Sequence, residues 1–458
     1  VPHILRLGAI APLAKDRSSS DPLIMAGGVS VSMNPEPLAN FMDLFVIGEI
    51  GNVDQQGSIF ATLAELITRR RAESDRDFIR ERLRDCPGVY IPSAYSFSRA
   101  TSGILDSVDV AQGYPSSVVA LKSDWDSDMA PQTVITSRDA EFSDTVLVEV
   151  NRGCSRRCRF CAAGWIHGPV RYRGLDRVRP VLERARELGL RLGLVGSDLA
   201  GHPELEKMVD LILSGGSTFS LSSIRPEGLS DFMIDCLAAT GQKTATLAPE
   251  VAGMRLKEVI GKKIPPALFD SIIERLLNKG VINIRLYFMI GLPTETDDDV
   301  HQIVEFVMEC RETFVSASRK NKRIGVMSVQ VNPFIPKPWT PFQWAGVIRK
   351  DILEGRIGIL KKGLGKVSNM SLRIEYGRDF FIQALLSRCD RNLGQALLDV
   401  DPQRKWSAQT LEKAGINLDA QIYREREEDE IFPWDVVDHG ISKQVLWKIY
   451  KNAKEITC

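Results

Sequence analysis

Cys154, Cys158 and Cys161 lie in the run Asn151-Arg-Gly-Cys-Ser-Arg-Arg-Cys-Arg-Phe-Cys161, so one short loop offers three thiolates. That is one ligand fewer than a cubane iron-sulfur cluster has irons. A closed zinc or cluster site takes a fourth protein ligand, whereas a set of three leaves one iron open to a substrate or cofactor. A zinc knuckle completed by His167 is the alternative, although zinc motifs usually pair two short clusters and an x3 spacing is unusual for them. The apolar run Val146-Leu-Val-Glu-Val150 reads as a strand that stops just before Cys154. The thiolates then sit at the carboxyl end of a strand, where parallel α/β barrels keep their active sites.

The spacing C-x3-C-x2-C, with Phe160 before the last cysteine, resembles the cluster loop of the radical S-adenosylmethionine (radical SAM) superfamily. The resemblance implies a 4Fe-4S cluster on Cys154, Cys158 and Cys161. Its fourth iron would chelate the amino and carboxylate groups of S-adenosylmethionine, and one electron would break a carbon-sulfur bond to give a 5′-deoxyadenosyl radical. It also implies a low-potential electron donor such as flavodoxin or ferredoxin.

Further along, Gly196-Ser197 resembles the superfamily's second-strand glycine motif, whose backbone meets the methionyl amino group; Ser197 stands in place of a second glycine and Asp198 in place of a glutamate. Ser222, Ser223 and Arg225 end a third strand-like run, and Thr246 and Glu250 a fourth, offering polar groups for ribose hydroxyls. Arg255 to Lys262 resembles the helix that presents a basic residue to the methionyl carboxylate, here Lys262, and Arg285 is placed with the cofactor-binding set. Ile290-Gly-Leu-Pro-Thr-Glu-Thr resembles a "GLPGET" stretch that packs beside adenine, through Gly291, Leu292 and Pro293. Each fragment also has an ordinary reading as a turn, a helix cap or a solvated helix face.

Six strand-like runs, at 146–150, 192–195, 219–222, 244–247, 284–290 and 326–331, alternate with amphipathic helical patterns such as Val178, Val181, Leu182, Ala185 and Leu188. Such alternation gives a parallel sheet with helices outside, and six units are fewer than the eight of a closed barrel. The expected fold is α/β: a partial (β/α)6 radical SAM barrel over 145–370, preceded by a partial cobalamin-binding-like Rossmann segment over 1–85 and a linker region over 86–144. A mostly helical C-terminal extension over 371–458 follows. The early segment, with Gly27 and Gly28 after a strand, looks like the later half of such a Rossmann domain, and with Val1 at the start it reads as part of a longer protein. No Asp-x-His-x-x-Gly loop is present to ligate cobalamin. Cys458 resembles the first member of a cysteine-rich tail.

Lysine plus arginine and aspartate plus glutamate are 59 each, so no global field draws nucleic acid or an anionic membrane. A local excess of arginine surrounds the cysteines (Arg152, Arg156, Arg157, Arg159, Arg171, Arg173, Arg177, Arg179), which suits an anionic substrate, RNA, or support for the cluster. No long apolar stretch or signal segment is present, and the scattered cysteines suit a reducing, cytoplasmic setting. Three functions fit: a radical SAM enzyme on an unknown substrate, a methyl- or methylthio-transferase on RNA or protein, and a non-catalytic iron-sulfur scaffold.

Overall fold

The computed structural model describes residues 1–50, 61–62, 64–65, 68, 76–125, 130–221, 225–399, 411 and 415–456. The chain forms two compact units, one of Val1–Asp128, Ile335–Val347 and Gly377–Lys448, the other of Met129–Phe334, Ile348–Tyr376 and Ile449–Cys458.

The cysteine loop belongs to the second unit. Its strands, in chain order, are β1 (Thr145–Arg152), β2 (Arg191–Gly196), β3 (Phe219–Leu221), β4 (Thr244–Glu250), β5 (Asn283–Ile290), β6 (Met327–Pro333) and β7 (Met370–Ile374). Strands β1, β2 and β3 pair in parallel, as do β4, β5, β6 and β7, in sequence order. The ladder between the two groups is interrupted at β3 and β4 among the described residues, so the sheet is open rather than a closed barrel. A short return strand, Arg171–Tyr172, pairs antiparallel with the end of β1. The expected six strands are all present, and β7 adds a seventh on the far edge. Its alternation is weak, with no residue fully buried, which is why it was not legible as a strand.

Between the strands run α1 (Leu175–Glu187), α2 (Leu205–Ser214), α3 (Asp231–Ala239), α4 (Met254–Ile260), α5 (Pro266–Asn278), α6 (Asp297–Lys320) and α7 (Lys350–Leu364). They cover one face of the sheet. Val178, Val181, Leu182 and Ala185 are buried as the periodicity predicts, while Leu188 caps α1 and is exposed. On β4, β5 and β6 the period of two divides the faces. Ala245, Leu247, Ile284, Leu286, Phe288, Met327 and Val329 are buried under helices, whereas Thr246, Arg285, Tyr287, Ser328 and Gln330 lie on the more open side. Apolar side chains thus fix the outer layer and leave a polar inner face. Cys236 and Cys310 are buried in the helical layer, as packing residues.

In the first unit Met25–Gly27 and Leu44–Val46 pair in parallel and Val89–Tyr90 runs antiparallel beside them. Gly28, at φ +98°, turns the chain into the short helix Val29–Met33, and a single 3-10 turn, Glu36–Leu38, precedes the strand Leu44–Val46. Helices Arg378–Arg388 and Leu393–Asp399 come from the C-terminal extension. They are tied to the N-terminal segment by Asn34, which donates to the Cys389 carbonyl at 2.9 Å, and by Arg391, which pairs with buried Glu36 at 2.7 Å. Residues 95–110, in the stretch read as a linker, form an antiparallel ribbon. Among the described residues no helix is long and apolar enough to cross a membrane.

Candidate active site

β1 delivers the chain to Gly153, whose φ of +79° and close quarters both demand glycine: a Cβ there would stand 2.5 Å from the His167 carbonyl oxygen. The cysteine loop follows and closes on a single helical turn, Ala163–Ile166. Gly164 lets that turn lie flush on the loop, since a Cβ would meet Arg157 Cα at 3.0 Å and the Cys154 carbonyl oxygen at 3.1 Å. Trp165 Nε1 donates to the Cys158 carbonyl at 3.1 Å, and the Arg157 guanidinium stacks over the Trp165 ring. Arg159 donates to the carbonyls of Glu258 and Val259 at 2.7 and 2.8 Å, and its N–H to that of Ile260. A cation on the last carbonyls of α4 complements that helix end and ties it to the loop.

All three thiols are free and half-buried. Burial pushes each upward, Cys158 to about 12, while backbone N–H groups of Arg156 at Cys154 and of Ala163 and Gly164 at Cys161 act the other way. N–H donors aimed at sulfur suit thiolates bound to a cluster, and the metal's charge supplies what burial withholds. Among the described residues no three His, Cys, Asp or Glu side chains converge as ligands of one metal ion. A cubane makes a different demand, because its thiolates bind separate irons. Three free thiols on one loop, with N–H groups on two of the sulfurs, fit it.

Two ion pairs flank the cysteines. On the side of Cys158 and Cys161, Lys262 Nζ reaches Glu250 Oε1 and the Ala248 carbonyl, both at 2.8 Å, and both charges act on these thiols. Glu250 holds φ +66°, unusual for a residue with a side chain, at the point where the β4 register shifts. Beside Cys154, Asp198 pairs with Arg225 at 2.6 Å. Burial pushes the Asp198 carboxyl up, but Arg225 and the Ser155 donors outweigh it and hold it below the usual range.

The structure therefore gathers Cys154, Cys158, Cys161, Glu250 and Lys262. Phe160 is half-buried within the loop itself. Gly196 closes β2, and a Cβ there would lie 2.7 Å from Asn151 Oδ1; Ser197 follows it, exposed. Thr246 lies within β4 rather than at its end, directly opposite Arg285 on the open face. Gly291, at φ +84°, Leu292 and Pro293 form the turn after β5, and the N–H groups of Gly291 and Leu292 donate to the Glu295 carboxylate at 3.0 and 3.1 Å. Glu295 is buried and is held by Arg356 from α7 at 2.7 Å. Ser222 lies outside the described residues. No local pattern marks Asn151, Ser155 or Tyr172 around Asp198, nor Arg356, because those contacts join distant segments.

The family pattern described as "Radical SAM superfamily" matches residues 148–307, and that described as "Radical SAM proteins, N-terminal" matches residues 1–92. Uncharacterized protein MJ0966 of Methanocaldococcus jannaschii is 29% identical over 392 residues, covering 84% of this chain and 76% of that one. Ribosomal protein uS12 methylthiotransferase RimO of Geotalea uraniireducens is 29% identical over 184 residues, 36% of this chain and 40% of RimO. The radical S-adenosylmethionine methyltransferase TsrM from Kitasatospora setae, solved with cobalamin and a [4Fe-4S] cluster bound, is similar with a TM-score of 0.44 and 15% identity over 70% of this chain and 58% of that one. The chain thus spans less than two thirds of the length of RimO and of TsrM. With its cysteine loop at the end of β1 and the two radical SAM patterns together matching more than half of its length, the chain belongs to the radical S-adenosylmethionine superfamily.

Proposed function

We propose that this protein is a radical SAM enzyme in which Cys154, Cys158 and Cys161 hold three irons of a 4Fe-4S cluster and leave the fourth to S-adenosylmethionine. A cluster held by these cysteines would supply the electron for reductive cleavage of a carbon-sulfur bond of S-adenosylmethionine, the source of a 5′-deoxyadenosyl radical. The chain's own contribution is to hold and orient. The half-buried loop limits water around the sulfurs, and its N–H groups stabilise the thiolates once their protons have left. Lys262, kept at the β4 end by Glu250, supplies the cation for the methionyl carboxylate. Gly196 and Ser197 offer backbone at the end of β2, while Phe160, Thr246, Arg285 and the turn of Gly291, Leu292 and Pro293 complete the cofactor surface, with Ser222 assigned to it from the sequence. The electron comes from a low-potential donor such as flavodoxin or ferredoxin, in the cytoplasm.

The observation that carries this reading is the trio of thiols on one loop at the carboxyl end of β1. Anaerobic reconstitution with iron and sulfide should give wild-type protein a reducible cluster and 5′-deoxyadenosine under dithionite. Cys158→Ala should yield neither; a variant as active as wild type overturns the assignment. The similarity to RimO favours a second reading, methyl or methylthio transfer to protein or RNA, and the mass of a modified product would identify it.

A further inference from the structure

Asp198 stands where the resemblance places a glutamate, yet both of its carboxylate oxygens are occupied by the protein. It is 1% exposed. Oδ2 accepts from the Ser155 hydroxyl at 2.9 Å, the Ser155 N–H at 3.4 Å and the Tyr172 hydroxyl at 3.2 Å, and Oδ1 accepts from Arg225 Nη2 at 2.6 Å. The Asp198 N–H donates to Asn151 Oδ1 at 2.5 Å, and Asn151 Nδ2 to the Gly153 carbonyl at 3.2 Å. One residue, through its carboxylate and its backbone N–H, therefore joins the end of β1, the cysteine loop, the return strand, the end of β2 and the stretch after β3. Gly201 keeps the space open, because a Cβ there would stand 2.5 Å from the Tyr172 hydroxyl and 2.9 Å from Asp198 Oδ2. Among the described residues Arg225 has no other carboxylate as near: its Nη1 is 3.8 Å from Glu227. Asp198 and Arg225 both act electrostatically on Cys154.

We propose that Asp198 is the positioning residue of the cysteine loop, fixing Cys154 through Ser155 and, by neutralising Arg225, setting the local charge under which the cluster accepts an electron. This presupposes the cluster assignment above. Asparagine has the same shape but one acceptor and one donor end, and the two hydroxyls can turn to suit it. The Ser155 N–H and the Arg225 guanidinium cannot, so one of them would face the amide nitrogen. The Arg225 charge would also be left uncompensated, which favours the more negative, reduced cluster.

Wild type, Asp198→Asn and Arg225→Gln should be reconstituted anaerobically, with iron and sulfide content, melting temperature and the electron paramagnetic resonance spectrum measured during a potentiometric titration. Asp198→Asn should shift the midpoint potential upward and alter the line shape of the reduced cluster. Arg225→Gln, which leaves the carboxylate charge instead, should shift the potential downward. A residue that only supports the fold would lower the melting temperature and cluster content without moving the potential of the loaded fraction. Unmoved potentials, or shifts of the same sign in both variants, overturn the proposal. Should Asp198→Asn fail to load, the sign of the Arg225→Gln shift decides alone. A wild type that carries no 4Fe-4S cluster is a separate result, and overturns the functional reading itself.

Discussion

At the scale of single residues, the site is built from charges held in pairs. Lys262 and Glu250 neutralise one another at 2.8 Å, so the lysine is already desolvated and placed. Lys262→Met should weaken S-adenosylmethionine binding by roughly tenfold or more, the loss of a charge-assisted hydrogen bond, and should weaken binding of the decarboxylated analogue far less. Calorimetry with both ligands reads the difference. A second lysine tells a different story. Lys257 is fully buried in α4, donates to the Ile264 carbonyl at 2.8 Å, and lies over the rings of Phe269 and Phe306. Burial lowers it to about 8. Between about pH 8 and its ordinary value of 10.5 the unfolded chain holds a proton that the folded one has released, so stability rises with pH in that window. Urea titrations at pH 7.5 and 10 should show that rise, and Lys257→Met should lack its share of it.

Among the elements, strands and cysteine loop were legible because their signals are local. The alternation of Ile284, Leu286, Phe288 and Ile290 shows in the sequence itself, as does the spacing of the cysteines. Asp198 was legible only as a departure from a motif, since its partners Ser155 and Tyr172 come from other segments and no periodicity marks them. Met370–Ile374 is not legible because an edge strand with no fully buried residue has no strong pattern. The turn after β5 shows how a legible motif depends on an illegible support. Thr296 and Asp299 form a capping box that starts α6, and Glu295 beside them clamps Gly291 and Leu292 only while Arg356 from α7 holds it. Burial pushes Glu295 up to about 7 against the pull of Arg356. Arg356→Met should cost about 3–5 kcal/mol at pH 8, because it strands a buried carboxylate. The loss should shrink at pH 5, where Glu295 carries a proton in the folded state; denaturant melts at the two pH values test this.

Across the whole molecule, the chain does not fold as beads on a string. Val1–Asp128 shares its unit with Ile335–Val347 and Gly377–Lys448, and the apolar cluster of Ile335, Val347, Leu385, Cys389, Leu393 and Ile422 is made entirely from the later segments. Glu36 is matched by Arg391, and Asn34 by carbonyls of residues 386, 387 and 389. A fragment ending at Asp128 should therefore lack a cooperative urea transition, checked by circular dichroism, because buried Glu36 would lose its counter-charge.

That interleaving has a consequence for how the protein is made. Translation at about 5–20 residues per second separates the emergence of Asp128 from that of Gly377 by tens of seconds. For that interval the opening segment waits on the ribosome with Glu36 and Asn34 lacking their partners, while the cysteine-bearing sheet can already assemble. Nascent chains should accordingly recruit holdase chaperones at the segment of Asn34 and Glu36, and metal loading can begin before the polypeptide is finished.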